Sequence, residues 1–369
     1  MLVSFLGTPV AGTLGVRWGA VDHPGDRKVH GSMIPRLGGA AIFAAFFLSC
    51  AIYGGFFLPA SHGWLSDRPV AFLIAAVLLV FALGVFDDIK GTNAPVKFAV
   101  QFVAALLVVW NGDVIRTVTN PAGGRIDLGV LAVPVTILWL VGVTNAFNLI
   151  DGVDGVAAGV GAIVAGTMAL MGAYSGQQQM VVPAAALCGA LLGFLRFNFH
   201  PARIFMGDSG ALFIGFALAV LAIRTSQVST ITVSFLTPVV ALGLPIMDTS
   251  LSVFRRVRAG RNPFQADTDH IHHELLRETR SHRWTAVTLY ILCILLNIAA
   301  LVLLYQNNWR FALWMVPATL LLAASPRLRR RIHLTGNGNG SRPYAFGSRK
   351  EVPLGRLRDA AYGVRAEKK

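Results

Sequence analysis

The 369 residues are 54% hydrophobic and only 14% charged, with a mean hydropathy of +0.61. Soluble domains carry about 25% charged residues, so a soluble class is excluded and a polytopic helical membrane protein is expected. The apolar runs are continuous, which excludes a β-barrel built from short alternating strands. The net charge is +14, and its distribution along the chain carries information about topology.

In chain order, apolar runs near the ~20-residue spanning length recur from end to end. Met1 to Ala20 is a weak first span, interrupted by Pro9, four glycines and Arg17. It lacks a cationic leader and a cleavage site, so it does not read as a signal peptide. Spans two to five are expected at 38–60, 69–86, 95–111 and 129–148, with a small hairpin over Thr117–Leu128 before the fifth. Spans six to nine follow at 156–174, 181–198, 209–223 and 231–254, and spans ten and eleven at 284–305 and 310–324. The expected fold is therefore all-α, a membrane bundle of 10–11 transmembrane helices over residues 1–324. Cys50, Cys188 and Cys293 all fall within apolar spans, without metal-ligand spacing, and read as small buried residues.

Residues 325–369 form a separate basic tail, with twelve Lys/Arg against three Asp/Glu. Its Gly-Asn run and lack of apolar periodicity predict a disordered extension drawn to anionic lipid headgroups. Because the tail follows a membrane span directly, a lipid surface is the expected partner and nucleic acid is not. The positive-inside rule orients the bundle: fifteen Lys/Arg fall on one set of loops and five on the other. The richer set is assigned to the cytoplasm, and the same parity places Asp87, Asp88, Asp151, Asp154, Asp208, Asp248, Asp267 and Asp269 there too.

These acids are candidates for chemistry. Asp87 and Asp88 end a span, where charge near hydrocarbon costs a few kcal/mol; the bland reading is a pair of headgroup-solvated charges. In Asn145-Ala-Phe-Asn148-Leu-Ile-Asp151-Gly-Val-Asp154-Gly155, the amides are three apart on one helical face. The glycines let Asp151 and Asp154 turn toward the same pocket. Such oxygens suit a hard ion such as Mg²⁺. In Phe205-Met-Gly-Asp208-Ser209-Gly210, backbone N–H groups at a helix start could face phosphate while Asp208 holds a metal; simple N-capping competes. Asp267, Asp269, His270, His272 and His273 evoke zinc, yet no Cys or HExxH spacing accompanies them. Donation to a diphosphate fits better, with solvated loop histidines as the bland alternative. Finally, Arg27-Lys28 and Pro35-Arg36-Leu37-Gly38-Gly39 could take an anionic lipid head or act as a positive-inside anchor.

Taken in order from Pro9 to Leu276, these motifs resemble the polyprenyl-phosphate N-acetylhexosamine-1-phosphate transferases. More closely they look like the bacterial undecaprenyl-phosphate N-acetylglucosaminyl-1-phosphate transferases that begin the O-antigen of lipopolysaccharide, enterobacterial common antigen or teichoic acid synthesis. The resemblance implies a bundle in the bacterial inner membrane with its active site facing the cytoplasm. It implies transfer of a sugar-1-phosphate from UDP-N-acetylglucosamine to polyprenyl phosphate, with release of UMP and a requirement for Mg²⁺ or Mn²⁺. It assigns Asp208 and Asn148 to the metal and Asp87 and Asp88 to the lipid phosphate. Lys28 and Lys97 would steady that phosphate, and His270, His272 and His273 the nucleotide diphosphate. Asp151 and Asp154 match family acids, and Asn145 joins the substrate-binding set. The His-Ile-His-His form favours N-acetylglucosamine over muramoyl-pentapeptide donors. The first span is shorter than the family's usual one, which leaves an upstream start open, and a homodimer is compatible with the pattern. Another UDP-N-acetylhexosamine is the rival within the family. A transporter is the rival outside it, since intramembrane acids also mark ion paths, although here they gather at one face. A non-catalytic lipid-binding protein would not need every acidic motif.

Overall fold

The computed structural model describes residues 1–22, 33–57, 70–119, 124–228, 235–260 and 270–306. Over these residues the chain folds as helices α1 (Leu2–Arg17), α2 (Gly38–Phe57), α3 (Val70–Lys90), α4 (Ala94–Trp110), α5 (Ala132–Ile150) and α6 (Val156–Tyr174). They continue as α7 (Gln178–Asn198), α8 (Gly207–Val228), α9 (Leu236–Ala241), α10 (Gly243–Arg258), α11 (Ile271–Thr279) and α12 (His282–Gln306). In hydrocarbon every backbone polar group must be satisfied within the chain, and an apolar helix does this unaided. Boundaries come from local chemistry. Asn93 accepts the Val96 N–H at 3.1 Å to start α4, and α3 stops before Gly91, whose φ is +75°.

Six helices are long and apolar enough to cross a membrane, and two shorter ones, Gly38–Gly54 and Ala94–Trp110, are also apolar. The chain is a polytopic helical membrane protein. Spans two to eight and ten correspond to α2–α8 and α12. The expected hairpin forms: β3 (Thr117–Thr119) pairs antiparallel with β4 (Arg125–Asp127). A second small ribbon joins β1 (Val21–Asp22) to β2 (Ile34–Pro35). Span eleven and the basic tail lie outside the described residues.

The bundle is organised around α8. Its apolar window is 89% buried, against 33% for α3, and it packs on α2, α3, α5 and α6. Phe213 from α8 meets Phe43 and Phe46 from α2 edge-on, while Phe43 stacks on Phe81 of α3. Outward side chains such as Leu138, Leu170, Ile291 and Ile298 are exposed, as a lipid-facing surface requires. α1 docks through a stripe of small residues, Ser4, Thr8, Ala11 and Gly15, which lets backbones approach closely without a large apolar side chain.

Span nine departs from expectation. The stretch is two helices joined at Leu242, and α10 turns a polar stripe inward. Asp248, Ser252 and Arg256, each four residues apart, are buried, whereas Phe254 and Val257 are exposed. The face that would ordinarily enter a core is the one that fits lipid. At the end of the bundle where α4 stops and α8 finishes, Arg224 donates from Nε and Nη2 to the two oxygens of Asp113 at 3.0 and 2.9 Å. That bidentate pair fastens the ends of α4 and α8.

Candidate active site

The opposite end of the bundle gathers the expected chemistry, and its framework is the meeting of two glycine motifs. Gly38 N–H donates to Phe205 O at 3.0 Å and Gly39 N–H to Met206 O at 2.8 Å. A Cβ on Gly39 would collide with the backbone of Gly210, and one on Gly84 with that of Ser209. The starts of α2 and α8 and the last turns of α3 therefore approach at backbone distance. Gly207, with φ of +71°, makes the turn into α8 against Arg36 O and the Asp88 carboxylate.

Asp88 is fully buried there and accepts N–H groups from Asp208 at 2.8 Å and Ser209 at 2.9 Å. The amides expected to face phosphate are thus occupied. The cap they receive comes from α3 rather than from Asp208 or Ser209 itself. Two N–H donors satisfy this buried carboxyl, and in this position it also fixes the first turn of α8.

Its neighbour Asp87 points elsewhere. Lys97, from the first turn of α4, places Nζ 2.7 Å from Asp87 Oδ2 and 2.5 Å from Asp208 Oδ2. Asn148, near the end of α5, brings its side chain alongside the Asp208 carboxylate. Arg36 Nη2 stands 3.8 Å from Asp88 Oδ1 and 4.0 Å from Asp208 Oδ1, with about a third of its side chain exposed (36%). Asp151 follows α5 within the field of this cluster. Burial pushes its carboxyl well above the usual carboxylate range, aided by the charges of Asp208 and Asp88 and opposed by Arg36. Asn145 is not part of the cluster's hydrogen bonding. Its amide donates to Gln101 Oε1 at 2.6 Å and Val141 O at 2.8 Å, tying α5 to α4.

Asp154 is held by His200 Nδ1 at 2.7 Å and the Ala202 N–H at 3.1 Å, with His200 stacked on His282 at 4.7 Å. The histidine segment divides sharply. His270 and His272 are buried and direct Nδ1 toward Asp248 Oδ2 at 3.3 and 3.2 Å. Asp248 Oδ1 accepts the Ile271 N–H at 2.7 Å. The His272 ring lies over Gly152, where a Cβ would sit 2.7 Å from Nε2. His273 is half-buried, and burial with the neighbouring His272, His270 and Arg277 pushes its pKa down to about 4.

Sequence reasoning missed the parts played by Asp248 and His200. Asp248 had a signal in its four-residue spacing to Ser252 and Arg256; His200 had none. Lys28, Asp267 and Asp269 lie outside the described residues.

Known proteins share much of this sequence. Residues 70–226 match the profile of glycosyl transferase family 4. The chain is 36% identical to the probable undecaprenyl-phosphate N-acetylglucosaminyl 1-phosphate transferase of Bacillus subtilis, over 84% of each chain. It is 34% identical to the decaprenyl-phosphate N-acetylglucosaminephosphotransferase of Mycolicibacterium smegmatis, over 79% of this chain and 77% of the relative. Identity to the undecaprenyl-phosphate alpha-N-acetylglucosaminyl 1-phosphate transferase of Escherichia coli K12 is 27%, over 83% and 82%. The chain belongs to glycosyl transferase family 4, the polyprenyl-phosphate N-acetylhexosamine-1-phosphate transferases that its ordered motifs resemble.

Proposed function

We propose that this protein transfers N-acetylglucosamine-1-phosphate from UDP-N-acetylglucosamine to undecaprenyl or a related polyprenyl phosphate, releasing UMP and starting a lipid-linked cell-envelope glycan. The observation that carries the reading is the convergence of Asp87, Lys97, Asn148 and Asp208 from four helix ends on one point beside Arg36. The positive-inside bias supports a cytoplasmic face of the bacterial inner membrane for this end.

The donor set fits a hard divalent cation. Two carboxylate oxygens meet around a single ammonium, with an amide alongside, so this point in the site calls for positive charge and offers oxygen ligands. Asp208 and Asn148 would hold Mg²⁺ or Mn²⁺, which when bound would supply positive charge to offset that developing on the leaving nucleotide.

The chain's own residues do the rest. Lys97 and Arg36 attract and steady the polyprenyl phosphate, and Lys97 exchanges a carboxylate partner for a phosphate oxygen as the acceptor arrives. Asp87 is the member of the acidic pair that is not engaged in capping α8, and once Lys97 turns to the phosphate it can orient that phosphate and take its proton when it arrives as the monoanion. An acceptor oxygen forms a bond to the β-phosphorus of the donor while the bond from that phosphorus to the UMP oxygen breaks. UMP leaves as a phosphate monoester. His273, the least buried of the three histidines, is placed to donate to the diphosphate, with Asp151 and Asp154 lining the donor side. Positioning and charge neutralisation supply most of the catalysis in such transfers.

The test is purified protein in detergent with Mg²⁺, undecaprenyl phosphate and UDP-N-acetylglucosamine, following UMP with and without EDTA. Metal-dependent UMP with a lipid-linked sugar product is expected. No UMP from this donor or from a panel of other UDP-N-acetylhexosamines would sink the assignment.

A further inference from the structure

We propose that Asp248 is a positioning residue for this reaction, acting through His272 to fix the loop that carries Asp151 and Asp154. The inference rests on the transferase reading for its consequence, but its geometry stands apart from it. Asp248 is 3% exposed and cannot touch substrate directly. Its Oδ1 accepts the Ile271 N–H, and its Oδ2 pairs with the His272 ring at 3.2 Å and lies 3.3 Å from His270 Nδ1. His270 Nδ1 also lies 3.2 Å from Ser252 Oγ, one turn further along α10, which in turn accepts from Arg255. α10 therefore presents its inward polar stripe as a socket for residues 270–272.

The socket dictates imidazole orientation. A carboxylate only accepts, so a ring facing it must carry its proton on the facing nitrogen, and this sets the tautomer of the whole ring. For His272 the ring is then seated over Gly152, between Asp151 and Asp154, where no Cβ could fit without a shift. A carboxylate on α10 thus holds an imidazole that packs on the loop between α5 and α6. No signal in the 145–155 motif or the 270–273 motif points to that link, because the residue making it lies in neither.

A purely structural alternative exists, since Asp248 also accepts the first N–H of α11. A double-mutant cycle separates the two. Asp248→Asn replaces one acceptor oxygen with a donor that cannot satisfy Nδ1–H. It is expected to lower kcat about 100-fold, the scale of a small misplacement near the chemistry, with Asp248→Glu recovering part of the loss. In a His272→Ala background the same change should cost no more than about twofold, because the ring it positions is gone. A full loss in both backgrounds would overturn the proposal in favour of the α11 role.

Imidazole ¹⁵N shifts of His272 in the full-length protein supply an activity-independent arm. Wild type should show Nδ1 protonated, and Asp248→Asn should change that state. A wild-type ring protonated only at Nε2 overturns the inference even if the variant fails to fold. Absence of UMP from wild type would instead sink the transferase reading, while these spectra still decide the Asp248–His272 link.

Discussion

Ser209 donates its backbone N–H to Asp88 Oδ2 over 2.9 Å, across 121 residues of sequence. The adjacent Asp87 turns to Lys97 instead, so two neighbouring carboxylates of the same residue type have separable duties. Asp88→Asn leaves only one acceptor for two N–H groups. It is expected to lower stability by about 2 kcal/mol and to abolish turnover. Asp87→Asn should abolish turnover with a much smaller loss of stability. Denaturant unfolding in detergent alongside UMP release checks both; equal stability losses would contradict the division.

The close crossing of α2 and α8 makes a second prediction. Gly39→Ala drives a methyl into the Gly210 backbone, which cannot move like a side-chain tip. About 3 kcal/mol or more of destabilisation is expected. Gly54→Ala, on the same helix with open space around it, should be neutral or stabilising by about 0.5–1 kcal/mol. Thermal unfolding of the two variants compares them directly.

His273 gives a pH dependence. Its folded pKa of about 4 lies below the model-peptide value of 6.5, so between these values the unfolded chain binds the extra proton. The contribution to stability is complete above pH 6.5 and is lost as pH falls toward 4. His273→Gln lacks this titration. The wild type should lose more stability than the variant between pH 7 and pH 4.5, as read from denaturant midpoints at each pH.

Far from the catalytic end, Asp113 is buried between Arg224 and the Asn111 amide. Asp113→Asn strands a guanidinium at a partly buried position, and a loss of about 2–3 kcal/mol is expected. Pairing Asp113→Leu with Arg224→Met should cost less than either single change, because no charge is left without its partner. Unfolding midpoints of the three variants decide it.

Much of this was legible before the structure. Apolar length alone located α2–α8 and α12, and the Asp87–Asp88, Asn148 and Asp208 motifs meet as their chemistry suggested. Two kinds of fact were not legible. One is partner choice across long separations. The sequence offers Asp208 and Ser209 as caps for α8, and only the fold shows Asp88 arriving from α3 to take that place. The other is polarity reversed by lipid. The stretch 231–254 has enough apolar residues to read as a span, and hydropathy cannot say that the polar stripe of α10 is the side turned inward. Asn145 is a related case: it shares a helical face with Asn148, but its amide reaches Gln101 of α4, a partner that spacing alone does not indicate.

The first turn of α8 is tied to α2 through Gly38 and Gly39 and to α3 through Asp88, so its leading N–H groups are held from two neighbouring helices. Amide protons of Asp208 and Ser209 should therefore exchange with solvent deuterium only when the whole bundle opens, like those of its core. The carboxylate of Asp208 would then be presented by the slowest-exchanging part of the molecule, and substrates would have to adapt to it rather than it to them.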